Sequence, residues 1–280
     1  MVSGESVMPL FVNGKRLDGR RPDEMREVSI TAGPLVKADG SAYLELGKNK
    51  VLAAVFGPRE VFPKHKTDPY KAVVRCIYRM APFSTEEHGR TRPNRRSIEI
   101  SKVIREVFEN VIVREIYPKT AIEIYIEILE SNGSTRVAGL TAASVALANA
   151  GIPMRDLPVG VSVGKIDGKV VIDMMKDEDN YGQADMPLAI KPTTGEVLLI
   201  QMDGKMTRAE FEQALDMAFK TASEVHEKQV AALKDYYEKV EGEIGEGSGS
   251  NRNESNAQSH LPSQESKESK ESKDDEIEIA

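Results

Sequence analysis

The chain has 280 residues, of which 40% are hydrophobic and 30% are charged, a composition typical of a soluble globular protein with a sizeable core. No apolar run approaches the roughly 20 residues that a membrane-spanning helix needs, and the first residues lack the basic start and apolar centre of a secretory signal. The single cysteine, Cys76, excludes an intrachain disulfide. We therefore expect a cytoplasmic protein that does not associate with membranes.

The net negative charge of the chain arises from its C-terminal segment. Residues 241–280 hold 11 acidic and 4 basic residues, which accounts for the whole formal net charge of −7. This segment repeats Ser, Glu and Lys and has few large apolar residues, so we predict a disordered acidic tail. Residues 1–240 are neutral overall, and their basic residues can form local patches for polyanions.

Strand and helix patterns are interspersed in residues 1–240 without a regular βαβ repeat, which predicts an α+β fold with mixed sheets packed by helices. In chain order, strands are predicted over 28–30, 41–46, 51–56, 72–78 and 121–129, then a hairpin over 159–173 and a strand over 196–202. Helices are predicted over 94–112, 135–150 and 207–237, the third opening with a capping box between Thr207 and Glu210. Cys76 lies in one of these strands, and we interpret it as a small core residue rather than a nucleophile.

Two carboxylates, Asp179 and Asp185, flank Gly182 just beyond the predicted hairpin. A straight strand would hold them roughly 20 Å apart, at about 3.3 Å per residue. A turn at Gly182 could bring both onto one site, because glycine accepts backbone angles that other residues avoid. Two converging carboxylates suit a divalent metal or a general acid, but Asp and Gly are also ordinary loop residues.

A glycine, two hydroxyls and an arginine stand at the start of the second predicted helix, as Gly133, Ser134, Thr135 and Arg136. The first N–H groups of a helix have no intrahelical partner, and the helix dipole favours negative charge there, so the segment predicts an anion site. Simple N-capping by Ser134 or Thr135 accounts for the same residues equally well. The spacing differs from that of a nucleotide-triphosphate loop, which favours free phosphate over ATP.

Four arginines in seven residues, from 90 to 96, lead into the first predicted helix. Such a cluster suits a polyphosphate backbone, and a solvated basic loop is the alternative interpretation. Lys64, His65 and Lys66 form a similar but weaker basic group with the same two interpretations.

Together these motifs resemble the RNase PH family of phosphorolytic exoribonucleases, over residues 12–238. Within that family, Met80-Ala-Pro-Phe-Ser84 and Asp203-Gly204 are most similar to the catalytic ring subunit of the archaeal RNA exosome. The resemblance implies an RNase PH-like fold (ribosomal protein S5 domain 2-like), with an N-terminal part 12–150 and a C-terminal part 151–238. The motifs that follow the family's order are Arg16-Leu-Asp-Gly-Arg-Arg-Pro-Asp23, Lys37-Ala-Asp-Gly-Ser-Ala-Tyr-Leu-Glu-Leu-Gly47, Phe56-Gly-Pro-Arg59, Asn94-Arg-Arg96, Gly133-Ser-Thr-Arg136 and Asp179-Asn-Tyr-Gly-Gln-Ala-Asp185.

The resemblance also implies a role for each candidate site residue. Inorganic phosphate, the co-substrate, would be held by Gly133, Ser134, Thr135 and Arg136. The RNA backbone would be held by Arg95 and Arg96, with Lys64, His65 and Lys66 further along its path. A divalent metal, Mg²⁺ or Mn²⁺, would be bound, or the leaving group protonated, by Asp179 and Asp185. Relatives usually carry Asp where this chain has Asn132, and the lost charge is expected to tune the phosphate site.

The implied activity is 3′-to-5′ phosphorolysis of single-stranded RNA, which releases nucleoside diphosphates and can run in reverse to extend RNA. The implied partners are an inactive RNase PH-like paralogue, in a ring of three heterodimers, and RNA-binding cap proteins of the S1 or KH type. Two alternatives stay open: a self-assembling RNase PH that trims transfer RNA 3′ ends, and a non-catalytic RNA-binding ring subunit.

Overall fold

The computed structural model describes residues 10–12, 14–87 and 92–249, with side chains as far as residue 242. The chain divides into two units, Met1–Lys239 and Val240–Ala280, and the sheets and the site described below belong to the first. None of the helices in the described ranges has the length and apolar character that crossing a membrane requires.

Twelve strands and four α-helices are formed by the described residues. The strands are β1 Phe11–Val12, β2 Lys15–Arg16, β3 Val28–Ala32, β4 Gly40–Leu46, β5 Asn49–Glu60, β6 Val73–Met80, β7 Thr120–Glu130, β8 Val159–Ile166, β9 Lys169–Ile172, β10 Ala184–Lys191, β11 Glu196–Ile200 and β12 Asp203–Gly204. The helices are α1 Arg95–Val111, α2 Thr135–Asn149, α3 Lys176–Tyr181 and α4 Arg208–Gly249. Short 3₁₀ turns cover Lys64–Lys66 and Arg114–Ile116.

The first sheet has five strands in the order β3-β4-β5-β7-β6, antiparallel except for the parallel pair β6–β7. β7 alternates as its sequence predicts, because its isoleucines are buried on one face while Glu123, Tyr125 and Glu127 are only partly buried on the other. The apolar face of the sheet shares one core with α1 and α2. This core holds both helices against the sheet, and the first turns of both contribute to the site described below.

The second sheet has the antiparallel order β11-β10-β8-β9, with β12 paired to β10. Its core is shared with α4. α2 contacts strands of both sheets and is buried along most of its length, as expected of a helix that is apolar all round. Gly160 lets β8 approach α2 closely, because a Cβ there would lie 2.5 Å from the Val137 carbonyl oxygen. The first turn of α2 therefore lies against the second sheet.

The predicted α+β class is confirmed, and the helices predicted over 94–112 and 135–150 agree closely with α1 and α2. The predicted capping box is present, since Thr207 N donates to Glu210 Oε2 over 2.7 Å and Glu210 N donates to Thr207 Oγ1 over 3.3 Å. α4 runs on to Gly249, past the predicted end at 237 and into the segment predicted to be disordered. Residues 250–280 lie outside the described residues, so the disordered tail stays a prediction there.

Two elements beside the predicted carboxylate pair, α3 and β10, are not anticipated by the sequence. Proline is rare in central strands, so Pro187 argues against a strand over 184–191. The proline is accommodated because β12 pairs with β10 as far as Asp185 and β11 pairs only from Leu188, which interrupts the ladder at Pro187. Cys76 lies in β6 against the first core, and burial raises the pKa of its thiol to about 12, as suits a core residue.

Candidate active site

One small cavity of about 40 Å³ collects side chains from separate segments of the chain. It is lined by Arg96, Ser134, Thr135, Arg136, Val137, Ser162, Met174, Asp179, Asp185 and Pro187. Six of these residues belong to the arginine cluster, the anion motif and the carboxylate pair that the sequence singles out. The fold therefore joins three motifs that are far apart along the chain.

The carboxylate pair is joined by a short connection between a helix and a strand. Asp179 lies near the end of α3 and is exposed at the rim, whereas Asp185 lies near the start of β10 and is partly buried. The sequence predicts that Gly182 is needed for backbone angles that other residues avoid. This prediction is wrong, because the φ of −71° and ψ of 166° at Gly182 are accessible to any residue. Glycine is needed there for space, since a Cβ would clash with the Glu178 carbonyl oxygen.

Both carboxyl groups have raised pKa values. Burial, reinforced by the charge of Asp179, raises the pKa of Asp185 to about 6, against the opposing effects of Ser162 and the two cavity arginines. Ser162 Oγ donates to Asp185 Oδ1 over 3.2 Å. Although Asp179 is exposed at the rim, desolvation of its carboxyl group by the surrounding protein raises its pKa. The charge of Asp203, which lies opposite Asp185 across the β10–β12 pair, raises it further. A carboxyl group that titrates near pH 6 suits proton exchange near neutral pH.

The start of α2 is open to a ligand because neither predicted hydroxyl caps it. Ser134 is the N-cap residue, with a left-handed φ of 59°, but its Oγ donates to the Met174 carbonyl oxygen over 2.7 Å. The Thr135 hydroxyl accepts a hydrogen bond from the Tyr78 hydroxyl over 2.8 Å. The interpretation of the motif as side-chain capping by Ser134 or Thr135 is therefore wrong. The first N–H groups of α2 and the helix dipole favour an anion there.

Asn49, the first residue of β5, holds the turn that precedes α2. It is fully buried, its Nδ2 donates to the Gly133 carbonyl oxygen over 2.6 Å, and its Oδ1 accepts from Asn132 N. Arg26 Nη1 donates to the Asn132 carbonyl oxygen over 2.7 Å. Gly133 has a φ of 77°, and a Cβ there would lie 2.6 Å from Lys176 N. Gly133 thus shapes the site through its backbone and is not among the residues that line the cavity.

Replacing Asn49 by Ala is expected to destabilise the fold and loosen the anion motif together. The change leaves the partly buried Asn132 N–H and Gly133 carbonyl oxygen without their side-chain partner, at about 1 to 3 kcal/mol of unfolding free energy. Urea denaturation of Asn49→Ala measures this loss. Asn110→Ala is the matched control, because Asn110 is exposed and its side-chain Nδ2 donates to the Glu106 carbonyl oxygen within the same helix, α1. Equal stability of the two variants would contradict the proposed holding role of Asn49.

Three arginines of the N-terminal region hold the segment that leads into α3. Arg16 and Glu178 form an ion pair whose side chains are both fully buried. Arg26 Nη2 lies 2.6 Å from Asp173 Oδ1, and Arg20 Nη1 lies 3.2 Å from Asp173 Oδ2. The sequence finds Arg16 and Arg20 in a motif but gives them no role, because arginine is usually a surface residue. Their partners place α3, and with it the first carboxylate of the pair, at the cavity.

Of the basic residues expected to bind RNA, only Arg96 lines the small cavity. It also lines an adjoining cavity of about 600 Å³, to which Arg79 and Arg92 contribute. Arg95 is exposed next to it, and Lys64–Lys66 form an exposed 3₁₀ turn after β5. These residues line neither cavity, so their contact with RNA stays a prediction.

Two family models match the chain in sequence order. Residues 24–153 match domain 1 of the 3′ exoribonuclease family, and residues 156–221 match domain 2. The chain belongs to the RNase PH family of 3′ exoribonucleases. The predicted enzyme class, a phosphorolytic 3′-to-5′ exoribonuclease, is confirmed with it. In this RNase PH protein, Arg96 and Arg136 come from domain 1 and both carboxylates come from domain 2.

Relatives are similar to this RNase PH chain over most of its length. "Exosome complex component Rrp41" of Thermococcus onnurineus is 54% identical over 243 residues, covering 87% of this chain and 98% of that protein. The protein of the same name from Methanopyrus kandleri is 56% identical over 225 residues, covering 80% and 94%. A solved structure described as the Archaeoglobus fulgidus exosome with RNA bound to the active site matches with a TM-score of 0.65 and 26% identity, covering 77% of this chain and 93% of that chain. Rice Rrp46 matches with a TM-score of 0.71 and 23% identity, covering 78% and 100%, and supports the fold alone. The predicted RNase PH-like fold is confirmed.

The carboxylate pair of this RNase PH protein fits a divalent cation that also binds substrate oxygens. Mg²⁺ is commonly held by one or two carboxylates together with water and phosphate oxygens. Among the described residues there is no group of three or more Asp, Glu, His or Cys side chains that could form a complete protein site. A cation between Asp179 and Asp185 would relieve the repulsion that contributes to the raised pKa of Asp185.

Proposed function

We propose that this chain is the catalytic subunit of an exosome of the archaeal type and that the small cavity is its phosphorolytic site. The observation that carries the proposal is that one cavity joins Arg96, the start of α2 with Arg136, and the carboxylates Asp179 and Asp185. Phosphate attack on RNA needs cationic groups for two phosphates and an acidic group or metal for the leaving oxygen. The cavity offers both within one small space.

Inorganic phosphate binds at the start of α2. Arg136 binds two of its oxygens with paired N–H groups, while the backbone N–H groups of Ser134, Thr135 and Arg136 face the remaining charge. One phosphate oxygen attacks the phosphorus of the last phosphodiester, so the protein does not need to supply a nucleophile. Its contribution is to orient two negatively charged reactants and to neutralise the charge between them.

The 3′ end of the RNA is held at the other side of the cavity. Arg96 binds the phosphate under attack, because its side chain borders both the small cavity and the adjoining larger one. The larger cavity gives room for the terminal nucleotides, and Arg79 and Arg92 add positive charge along it. Arg95 and the Lys64–Lys66 turn bind the RNA backbone further from the reacting phosphate.

The carboxylate pair serves the leaving oxygen. As the bond between phosphorus and the 3′ oxygen breaks, that oxygen takes up a proton and becomes the new 3′ end of the RNA. Asp185, whose pKa is about 6, donates the proton directly, or Asp179 and Asp185 hold Mg²⁺ or Mn²⁺, which would stabilise the developing negative charge. The products are a nucleoside diphosphate and an RNA one residue shorter, and excess nucleoside diphosphate drives the reverse extension.

The names of the relatives favour the exosome over the two alternatives. The chain covers 98% of a protein called an exosome component at 54% identity, which supports an exosome subunit. With that assignment we propose a cytoplasmic ring of three heterodimers with an inactive paralogue and S1- or KH-type cap proteins. Both carboxylates line the same cavity as the cationic groups, which supports a catalytic subunit over a non-catalytic scaffold.

Product analysis with and without phosphate tests the proposal. The full-length chain is incubated with single-stranded RNA, alone and together with a paralogous ring subunit. Nucleoside diphosphates are expected only when phosphate and the second subunit are both present, and excess ADP without phosphate is expected to extend the RNA. Full activity of the chain alone would support the self-assembling RNase PH. Nucleoside monophosphates as the only product would exclude phosphorolysis.

A further inference from the structure

Arg136 has two polar partners outside the residues already assigned to the cavity. Its Nη1 donates to Gln201 Oε1, and its Nη2 lies 3.4 Å from Glu99 Oε2. Gln201 Nε2 in turn donates to Glu99 Oε1 over 3.1 Å. The three side chains therefore form a closed triangle of polar contacts beside the cavity.

The triangle connects Arg136 to two elements that also carry cavity residues. Glu99 lies one turn after Arg96 on α1, so both side chains leave the same face of that helix. Gln201 lies between β11 and β12, and its backbone N–H donates to the Pro187 carbonyl oxygen on β10 over 3.2 Å. The guanidinium of Arg136 is thus held between α1, in domain 1, and the connection from β11 to β12, in domain 2.

We propose that Glu99 and Gln201 are positioning residues that hold the Arg136 guanidinium in its phosphate-binding orientation before phosphate arrives. A guanidinium has five N–H donors, and the two contacts engage one donor on each terminal nitrogen, which leaves Nε–H and two others for a ligand. An arginine that is ordered in advance loses less conformational freedom when its ligand binds. The inference rests on the proposed role of Arg136 in binding phosphate.

Two other roles are conceivable for Glu99: a purely structural one, and competition of its carboxylate with phosphate for Arg136. Substitution of Glu99 would change the kinetic constants differently in each case than it would for a positioning residue. Glu99 is 45% exposed, and partly exposed ion pairs contribute little to folding, so a purely structural pair would leave the kinetic constants unchanged. A Glu99 carboxylate that only competed with phosphate for Arg136 would do the opposite of positioning, because its removal would lower the KM for phosphate.

Phosphate-dependent turnover of the full-length chain in its active assembly tests the inference, with KM measured separately for phosphate and for RNA. Glu99→Ala and Gln201→Ala are each expected to raise the KM for phosphate about tenfold and to leave the KM for RNA unchanged. Glu99→Gln keeps one acceptor oxygen and is expected to give an intermediate rise. Glu106→Ala is the matched control, because it removes a carboxylate that is 51% exposed from the same helix. It is expected to change neither constant.

The decisive comparison repeats Glu99→Ala in an Arg136→Ala background. The kcat/KM for phosphate is read from the initial slope of rate against phosphate concentration, so weak activity suffices. Positioning requires that Glu99→Ala has no further effect once Arg136 is absent. An equal effect in both backgrounds, or a lowered KM for phosphate in Glu99→Ala alone, overturns the inference. If Arg136→Ala itself leaves kcat/KM for phosphate unchanged, the proposed phosphate site is wrong, and the inference falls with it.

Discussion

Replacing Asp185 by Asn is expected to lower turnover by about 10²- to 10⁴-fold, the usual contribution of a proton donor at the reacting atoms. The carboxamide has nearly the shape of the carboxyl group, but it can neither donate a proton to the leaving oxygen nor bind a cation as an anion. Ser162 and the rest of the cavity wall can stay in place around it. The loss is therefore expected in kcat, with assembly intact.

The same substitution is expected to stabilise the fold above neutral pH. Burial and the charge of Asp179 raise the pKa of Asp185 from 3.8 to about 6. A carboxyl group with a raised folded pKa stabilises the folded state fully only below its unfolded pKa, and this contribution is lost as the pH rises through about 6. Asn carries no charge at any pH, so near pH 8 the variant avoids the cost of the ionised group. Allowing for the partial exposure of Asp185, the gain is about 1 to 2 kcal/mol.

Urea denaturation between about pH 5 and pH 8, with a chelator present, measures this gain beside an activity assay. The stability difference between Asp185→Asn and the unsubstituted chain is expected to shrink as the pH falls below about 6. Asp177→Asn is the control, because Asp177 is an exposed acid on the same helix as Asp179 and does not line the cavity. A difference in stability that does not change with pH, or turnover that survives in Asp185→Asn, would contradict this account of Asp185.

Replacing Glu178 by Gln is expected to be the most damaging single change to the fold near the site. The Arg16 and Glu178 side chains are both fully buried, and removal of one partner leaves an uncompensated buried charge, at about 3 to 5 kcal/mol. Glu178 is adjacent to Asp179 on α3, so the carboxylate pair is also expected to be misplaced. Activity is therefore expected to fall at temperatures where most of the protein is still folded.

Thermal and urea denaturation of Glu178→Gln measure this loss against a surface ion pair. Arg208 and Glu212 form such a pair on α4, with side chains that are 91% and 61% exposed. Glu212→Gln removes the same charge from the same kind of partner, and its effect is expected to stay within about 0.5 kcal/mol. Similar destabilisation in Glu178→Gln and Glu212→Gln would contradict this prediction, because it would mean that burial of the Arg16–Glu178 pair does not determine how much the pair contributes to folding stability.

The long periodic elements of this fold could be predicted from sequence because local pattern decides them. The isoleucine alternation of β7, the apolar stripe of α1 and the Thr207–Glu210 capping box all appear where the sequence places them. α3 is short and highly charged, and β10 contains Pro187, so no local pattern marks either element. Their formation depends on tertiary partners, namely the buried Arg16 beside α3 and the interrupted ladder beside β10.

The charged side chains proposed to bind substrate or transfer a proton could be predicted from the sequence, but the residues that hold them in position could not. Arg96, Arg136, Asp179 and Asp185 stand in motifs whose chemistry is readable from sequence, and the cavity joins them. Asn49 reaches the anion motif only because the register of β5 against β7 pairs Lys50 with Glu130, next to the turn at 131–133. Such long-range register follows from the assembled sheet and has no signal in a single sequence.

Attack by inorganic phosphate at the cavity of Arg136 and Asp185 is tested most directly by following the phosphate itself. The active assembly degrades unlabelled RNA in the presence of radiolabelled inorganic phosphate, and the released nucleotides are separated. The account predicts label in the β-phosphate of the released nucleoside diphosphates, with the rate of labelling falling together with RNA degradation in Arg136→Ala and Asp185→Asn. Release of unlabelled nucleotides at the full rate, or labelling that both variants leave unchanged, would contradict it.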